Sequence, residues 1–129
     1  MKANPVAWFE IYVDDMARAK AFYQTVLAIE LSPLENPDPA GFADMEMWAF
    51  PATMESYGAA GALVKMAGYQ PGVGGTLVYF SCADCAVEAA RAEGNGGKLV
   101  NAKMAIGEHG FIALVADTEG NVIGLHSMQ

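Results

Sequence analysis

The sequence predicts an α+β fold built from two βαβββ modules. Three observations predict it. The stretch from Trp8 to Tyr23 reads as a strand, an acidic turn and a helix, and the same design returns 69 residues later, from Leu77 to Arg91. Beyond each helix come three further strand-like runs, and Gly41-Phe42 matches Gly110-Phe111 at the same offset. Between the copies, Ala67 to Gly75 holds four glycines and a proline, a linker by composition. Module 1 is therefore expected over about residues 5–67 and module 2 over about 75–128, within one domain spanning 1–129. Such modules bury their helices outside and curl the opposite sheet faces into an eight-stranded, mixed, cup-shaped sheet.

Residues 6–13 alternate with the two-residue period of a strand, Phe9, Ile11 and Val13 on one face and Trp8, Glu10 and Tyr12 on the other. The first face is apolar and should pack on a helix. The second mixes indole, carboxylate and phenol, which suits a pocket lining. Asp14-Asp15 supplies a helix N-cap, and the helix runs from Met16 to Leu27 with Ala19, Phe22, Tyr23 and Val26 as its apolar stripe. Residues 29–34 read as a second strand. Asn36-Pro37-Asp38-Pro39-Ala40-Gly41 is a turn. Phe42–Phe50 is a third strand, Ala52–Ala60 a loop and Gly61–Met66 a fourth strand, aligned through Ala60-Gly61-Ala62-Leu63 with Ile123-Gly124-Leu125-His126. The second copy repeats the order: strand Leu77–Cys82, helix from the Asp84 cap to Glu93, and strands Lys98–Ala102, Phe111–Ala116 and Val122–Ser127.

Composition limits the function classes. The 129 residues are 53% hydrophobic and 17% charged, ordinary for a globular chain. Fifteen acids against seven bases, net −8, leave no basic face for nucleic acid or for an anionic membrane surface. No apolar run nears the roughly 20 residues of a membrane span. The first residues, Met1-Lys2-Ala3-Asn4-Pro5, carry no apolar signal core, and with two cysteines the expected setting is the reducing cytoplasm. The spacing in Gly72-Val73-Gly74-Gly75 matches no phosphate-binding loop.

The helix Asp14-Asp15-Met16-Ala17-Arg18-Ala19-Lys20-Ala21-Phe22-Tyr23, the helix exit Gly96-Gly97-Lys98-Leu99 and the segment Asp117-Thr118-Glu119-Gly120-Asn121-Val122-Ile123-Gly124-Leu125 resemble the vicinal oxygen chelate superfamily, the glyoxalase/bleomycin-resistance/dioxygenase proteins. The resemblance implies paired βαβββ modules, and commonly a homodimer. Its enzymes typically hold a divalent metal with side chains from the first and fourth strand of each module. Those positions fall here on Trp8, Gly61, Leu77 and Gly124, none of which is a metal-ligating residue type. No metal or other cofactor is therefore expected, and the metal-free branch of the superfamily remains.

The side chains expected to line a small-molecule site are Trp8, Glu10, Tyr12, Leu63, Lys65, Leu77, Tyr79 and His126, with Ser81 and Val122 beside them. Glu10 is the candidate catalytic residue, because a carboxylate on a partly apolar face has its pKa raised toward that of a base. The alternative is a structural carboxylate paired with Lys65 or a tyrosine hydroxyl. His126 is an acid–base candidate or, with Glu10, half of a displaced metal site. His109 sits in a glycine-flanked turn. Cys82-Ala83-Asp84-Cys85 has redox spacing, although Cys82 alternates with core residues. The expected function is metal-independent binding of a small, partly apolar organic molecule. The alternatives are a divalent-metal lyase, isomerase or dioxygenase with a displaced site, and an interaction or structural module with a filled cup.

Overall fold

The computed structural model describes residues 4–36, 44–53 and 55–129. The expected turn at 37–41, the matched Gly41-Phe42, the start of the third strand at Phe42 and Ala43, and Met54 of the loop lie outside the described residues. Among the described residues there are eight strands and two α-helices, in the expected βαβββ order twice over, and the class is α+β. The chain divides into two compact units, Trp8–Thr76 and Leu77–Gln129 with the N-terminal residues through Ala7.

In the first unit β1 (Val6–Tyr12) leads into α1 (Met16–Leu27), followed by β2 (Ser32–Leu34), β3 (Glu46–Ala49) and β4 (Ala60–Lys65). The strand order is β2-β3-β4-β1, with β1 parallel to β4 and the other neighbours antiparallel. Asp15 caps α1 by accepting from the Arg18 N–H at 3.0 Å, as its sequence position implied. The helix ends at Ala28, which adopts the left-handed conformation at φ 53°. The core forms where α1 meets the sheet: Val13, Met16, Leu31 and Leu63 are buried together, with Ile11, Ala19, Tyr23 and Trp48 packed around them. The apolar stripe differs from the expected one. Met16, Ala19 and Tyr23 face the sheet, whereas Phe22 and Val26 are 58% and 61% exposed. The inward residues follow an i, i+3, i+7 line starting one turn earlier.

The linker closes against β1. Gly72 and Gly74 take positive φ, and the buried Gly75 carbonyl accepts from the Tyr12 N–H at 2.8 Å. A Cβ on Gly75 would lie 2.9 Å from the Pro71 Cα, so only glycine fits there.

The second unit contains β5 (Thr76–Ser81, its first residue belonging to the first unit), α2 (Cys85–Gly94), β6 (Lys98–Ala105), a 3-10 turn (Gly107–His109), β7 (Phe111–Ala116) and β8 (Val122–Ser127). The order is β5-β8-β7-β6, again with one parallel pair, β5 and β8. Asp84 caps α2, and Cys85 and Ala89 set its small buried face on Ala113, Val115 and Leu125. The second strand of this module is longer than the expected Lys98–Ala102, because two register shifts let β6 follow β7 as far as Ala105. Ser127 is buried but satisfied: its hydroxyl accepts from the Cys85 N–H at 3.0 Å and donates to the Gln129 carbonyl at 2.8 Å.

Candidate functional site

The chemistry of the first unit gathers on the face of β1 away from α1. Strand alternation puts Trp8, Glu10 and Tyr12 on this face. The Trp8 indole N–H donates to one Glu10 oxygen at 3.1 Å, and the Tyr12 hydroxyl donates to the other at 2.8 Å. Parallel pairing sets Ala60, Ala62 and Val64 of β4 beside these three, and Ala49 and Met47 of β3 continue the last two rows. Glu10 therefore stands in a row of small apolar side chains. Burial raises its pKa above the ordinary 4.5, and the bonds from Tyr12 and Trp8 pull it back down only in part. Among the described residues no lysine, arginine or histidine lies within ion-pair distance of it.

Tyr12, 4% exposed, stacks on Tyr69 of the linker at 4.9 Å between ring centres. Tyr69 and the alanine floor were not singled out from sequence. Ala62 and Ala49 carry no polar group, and only strand register reveals that they flank a carboxylate.

Two expected neighbours of Glu10 are on the other face. The register pairs Ile11 with Leu63, so Leu63 points toward α1, where it has no exposed surface. Lys65 shares that parity and stands opposite Glu46 at the exposed end of β4. The expected pairing of Glu10 with Lys65 is thereby corrected, and the tyrosine alternative describes what the structure shows. The cause is a one-residue slip in aligning the fourth strands, which exchanges the two faces. Glu10 pairs with Ala62 as Tyr79 pairs with Gly124, so Ala62 is the counterpart of Gly124, and Leu63 is that of Leu125.

This register gives a direct test of whether a metal fits. Trp8, Ala62, Leu77 and Gly124 supply no ligating atom. A side chain grown at Gly124 would land on the Tyr79 ring, and one at Gly61 would meet the Phe9 ring at 2.5 Å. The residues at these positions do not fit a metal. Among the described residues no three His, Cys, Asp or Glu side chains converge elsewhere.

In the second unit Leu77 and Tyr79 are buried. His126 lies beside Ser81 across the β5/β8 pair. Its Nε2 is 2.6 Å from the His109 carbonyl, and since a carbonyl only accepts, Nε2 carries the proton. The Cys82 thiol is pushed up to about 11, first by burial and then by the Glu88 charge, and Cys85 is wholly buried. Neither suits redox exchange, which needs an accessible thiolate.

A cleft of about 450 Å³ opens by the N-terminus of α1, lined by Tyr12, Asp14, Arg18, Phe22, Tyr23 and Pro71 among others. It touches Tyr12 but not Glu10, and the Asp15 carboxylate at its edge is engaged in capping. The Glu10 face carries the more chemically distinctive groups.

With two βαβββ modules and this arrangement in view, the fold is that of the vicinal oxygen chelate superfamily, glyoxalase and bleomycin-resistance proteins included. More narrowly, residues 6–47 match the family described as bleomycin resistance protein-like N-terminal. Methylmalonyl-CoA epimerase from Mycobacterium tuberculosis is similar in structure, with a TM-score of 0.66 and 16% identity over 98% of this chain and 89% of the epimerase. The Q60A form of the Streptomyces coelicolor epimerase, bound to 2-nitronate-propionyl-CoA, has a TM-score of 0.67 and 16% identity over 98% of each chain. A hypothetical protein from Bacillus halodurans C-125 reaches 0.69 with 11% identity, over 99% of this chain and 96% of its own. No curated protein matches.

Proposed function

We propose that this protein binds a small, partly apolar organic molecule on the Glu10 face without a metal ion. One observation carries the reading: a partly buried carboxylate, held by an indole and a phenol, stands in an alanine-lined row, and among the described residues it is not joined by the two further ligating side chains a metal would need. Apolar walls around a few fixed polar groups are what small-molecule sites are made of. Pairing of two copies, read by light scattering, and a cytoplasmic location belong to the same proposal; among the described residues no helix is long and apolar enough to cross a membrane.

The experiment is a thermal-shift screen of small organic compounds, run with EDTA and again with Ni, Zn, Mn or Fe added. A ligand at a hundred times its Kd stabilises by about 2.7 kcal/mol, an upward shift of roughly 10 °C for a chain of this size. The expected result is stabilisation by organic compounds that EDTA leaves unchanged. Stabilisation by a metal alone would overturn the reading.

A second reading makes Glu10 a base. Its raised pKa brings it nearer the neutral range where general bases work, and the epimerases among the fold neighbours favour acid–base chemistry. It predicts that a bound carbon acid exchanges its α-hydrogen with deuterated water, and that Glu10→Gln abolishes the exchange.

A further inference from the structure

The first unit contains the same indole–carboxylate pairing twice, once on each face of its sheet. On the helix side the Trp48 indole N–H donates to Glu46 at 3.1 Å; on the other side the Trp8 indole N–H donates to Glu10 at 3.1 Å. The helix-side pair has a cation from the protein itself, since the Lys20 ammonium lies over the Trp48 ring at 3.1 Å from its centre. Among the described residues no lysine or arginine lies over Trp8 or against Glu10.

The pair without a cation is the one drawn out of water. Glu46 is exposed, whereas Glu10 is partly buried beside Ala62, with Ala60 and Val64 in the adjoining rows. A desolvated carboxylate gains most from a positive partner, because the missing water no longer screens the attraction. The Trp8 and Tyr12 donors occupy two of roughly four acceptor positions on the carboxylate, which leaves positions for the N–H groups of an ammonium or amidinium. Trp8 keeps part of its surface exposed, and an indole face attracts a cation more strongly than any other side-chain ring. The net charge of −8 raises the local concentration of cations around the whole chain.

We propose that the Glu10 face takes an organic cation, an amine or amidine carried on a flat apolar body. The body stacks on Trp8 and the charged nitrogen pairs with Glu10, as Lys20 serves Trp48 on the opposite face. This rests on the small-molecule reading above and names the ligand class within it.

The test uses benzylamine, benzyl alcohol and benzoate as matched probes, titrated into the full-length ¹⁵N-labelled protein. The two indole N–H signals, assigned with Trp8→Phe, report the two faces separately. The expected result is that benzylamine moves the Trp8 signal and not that of Trp48. It should bind at least about tenfold more tightly than benzyl alcohol, the lower end for a charge-assisted hydrogen bond, while benzoate does not bind. Glu10→Gln should remove that tenfold advantage, read as the ratio of amine to alcohol affinity; the three-probe ranking on the unaltered protein stands without this variant. Equal binding of amine and alcohol, or stronger binding of benzoate, overturns the cation class. If neutral compounds from the thermal screen move Trp8 while benzylamine does not, the cation class alone falls. If nothing moves Trp8, the small-molecule reading falls with it.

Discussion

Replacing Tyr12 by Phe removes one hydroxyl from the centre of the proposed site and little else. The ring is 4% exposed and packed on Tyr69, and Phe keeps that shape, so no cavity opens. What is lost is the 2.8 Å bond to a partly buried Glu10 carboxylate. A bond to a charged acceptor contributes about 1.5–3 kcal/mol, against about 0.5–1.5 for a neutral one. The variant should therefore be about 2 kcal/mol less stable at pH 8, a drop in Tm of roughly 8 °C. The deficit also has a sign with pH. Burial already holds the Glu10 pKa above 4.5, and losing the Tyr12 bond raises it further. The variant thus keeps its Glu10 proton to higher pH, and its deficit grows as pH rises through the two folded values. Below them both proteins hold a neutral acid and the deficit falls toward about 1 kcal/mol. Urea unfolding at a series of pH values between 5 and 9 measures this. A deficit under about 0.5 kcal/mol at pH 8, or one that does not change with pH, would refute the claim that Tyr12 holds an ionised Glu10.

Three further outcomes follow from the geometry. Leu63→Ala should cost about 2–5 kcal/mol in urea unfolding, because Leu63 is fully buried against Val13, Met16 and Leu31; a cost under about 1 kcal/mol would return it to the ligand-facing side. Cys82, with its thiol at about 11, should react with iodoacetamide at pH 7.5 at least about a hundredfold more slowly in the folded protein than in urea, and equal rates would contradict its environment. Ala28→Gly should stabilise by about 0.5–1 kcal/mol, since a left-handed residue with a Cβ is strained at φ 53°, and a loss of stability would show that the cap is relaxed as it stands.

How much of this was legible in the sequence differs from element to element. The bounds of α1 were readable because Asp15 and the run of helix formers carry local signals, and the faces of β1 were readable because the two-residue alternation is unbroken. The face of β4 was not. The loop between β3 and β4 differs in length from its counterpart in the second module, so nothing local sets the register, and anchoring on the shared glycines exchanged Gly61 for Ala62. That slip placed Leu63 and Lys65 beside Glu10. Phe22 and Val26 are a second case: both are apolar, but the face of α1 that meets the core runs through Met16, Ala19 and Tyr23, and hydrophobic type alone does not fix which of two apolar lines turns inward. The bonds from Trp8 and Tyr12 to Glu10 join side chains two apart on one strand face, so the sequence already held their proximity, but not which hydroxyl or lysine Glu10 would choose.

The central proposal is that the Glu10 face takes its ligand without a metal ion. Elemental analysis of the protein, purified without chelator and then equilibrated with Ni, Zn, Mn and Fe, tests it most directly. The residues on that face predict metal far below one equivalent per chain, before and after equilibration. One equivalent retained through dialysis, and lost on substituting Glu10, would contradict the account.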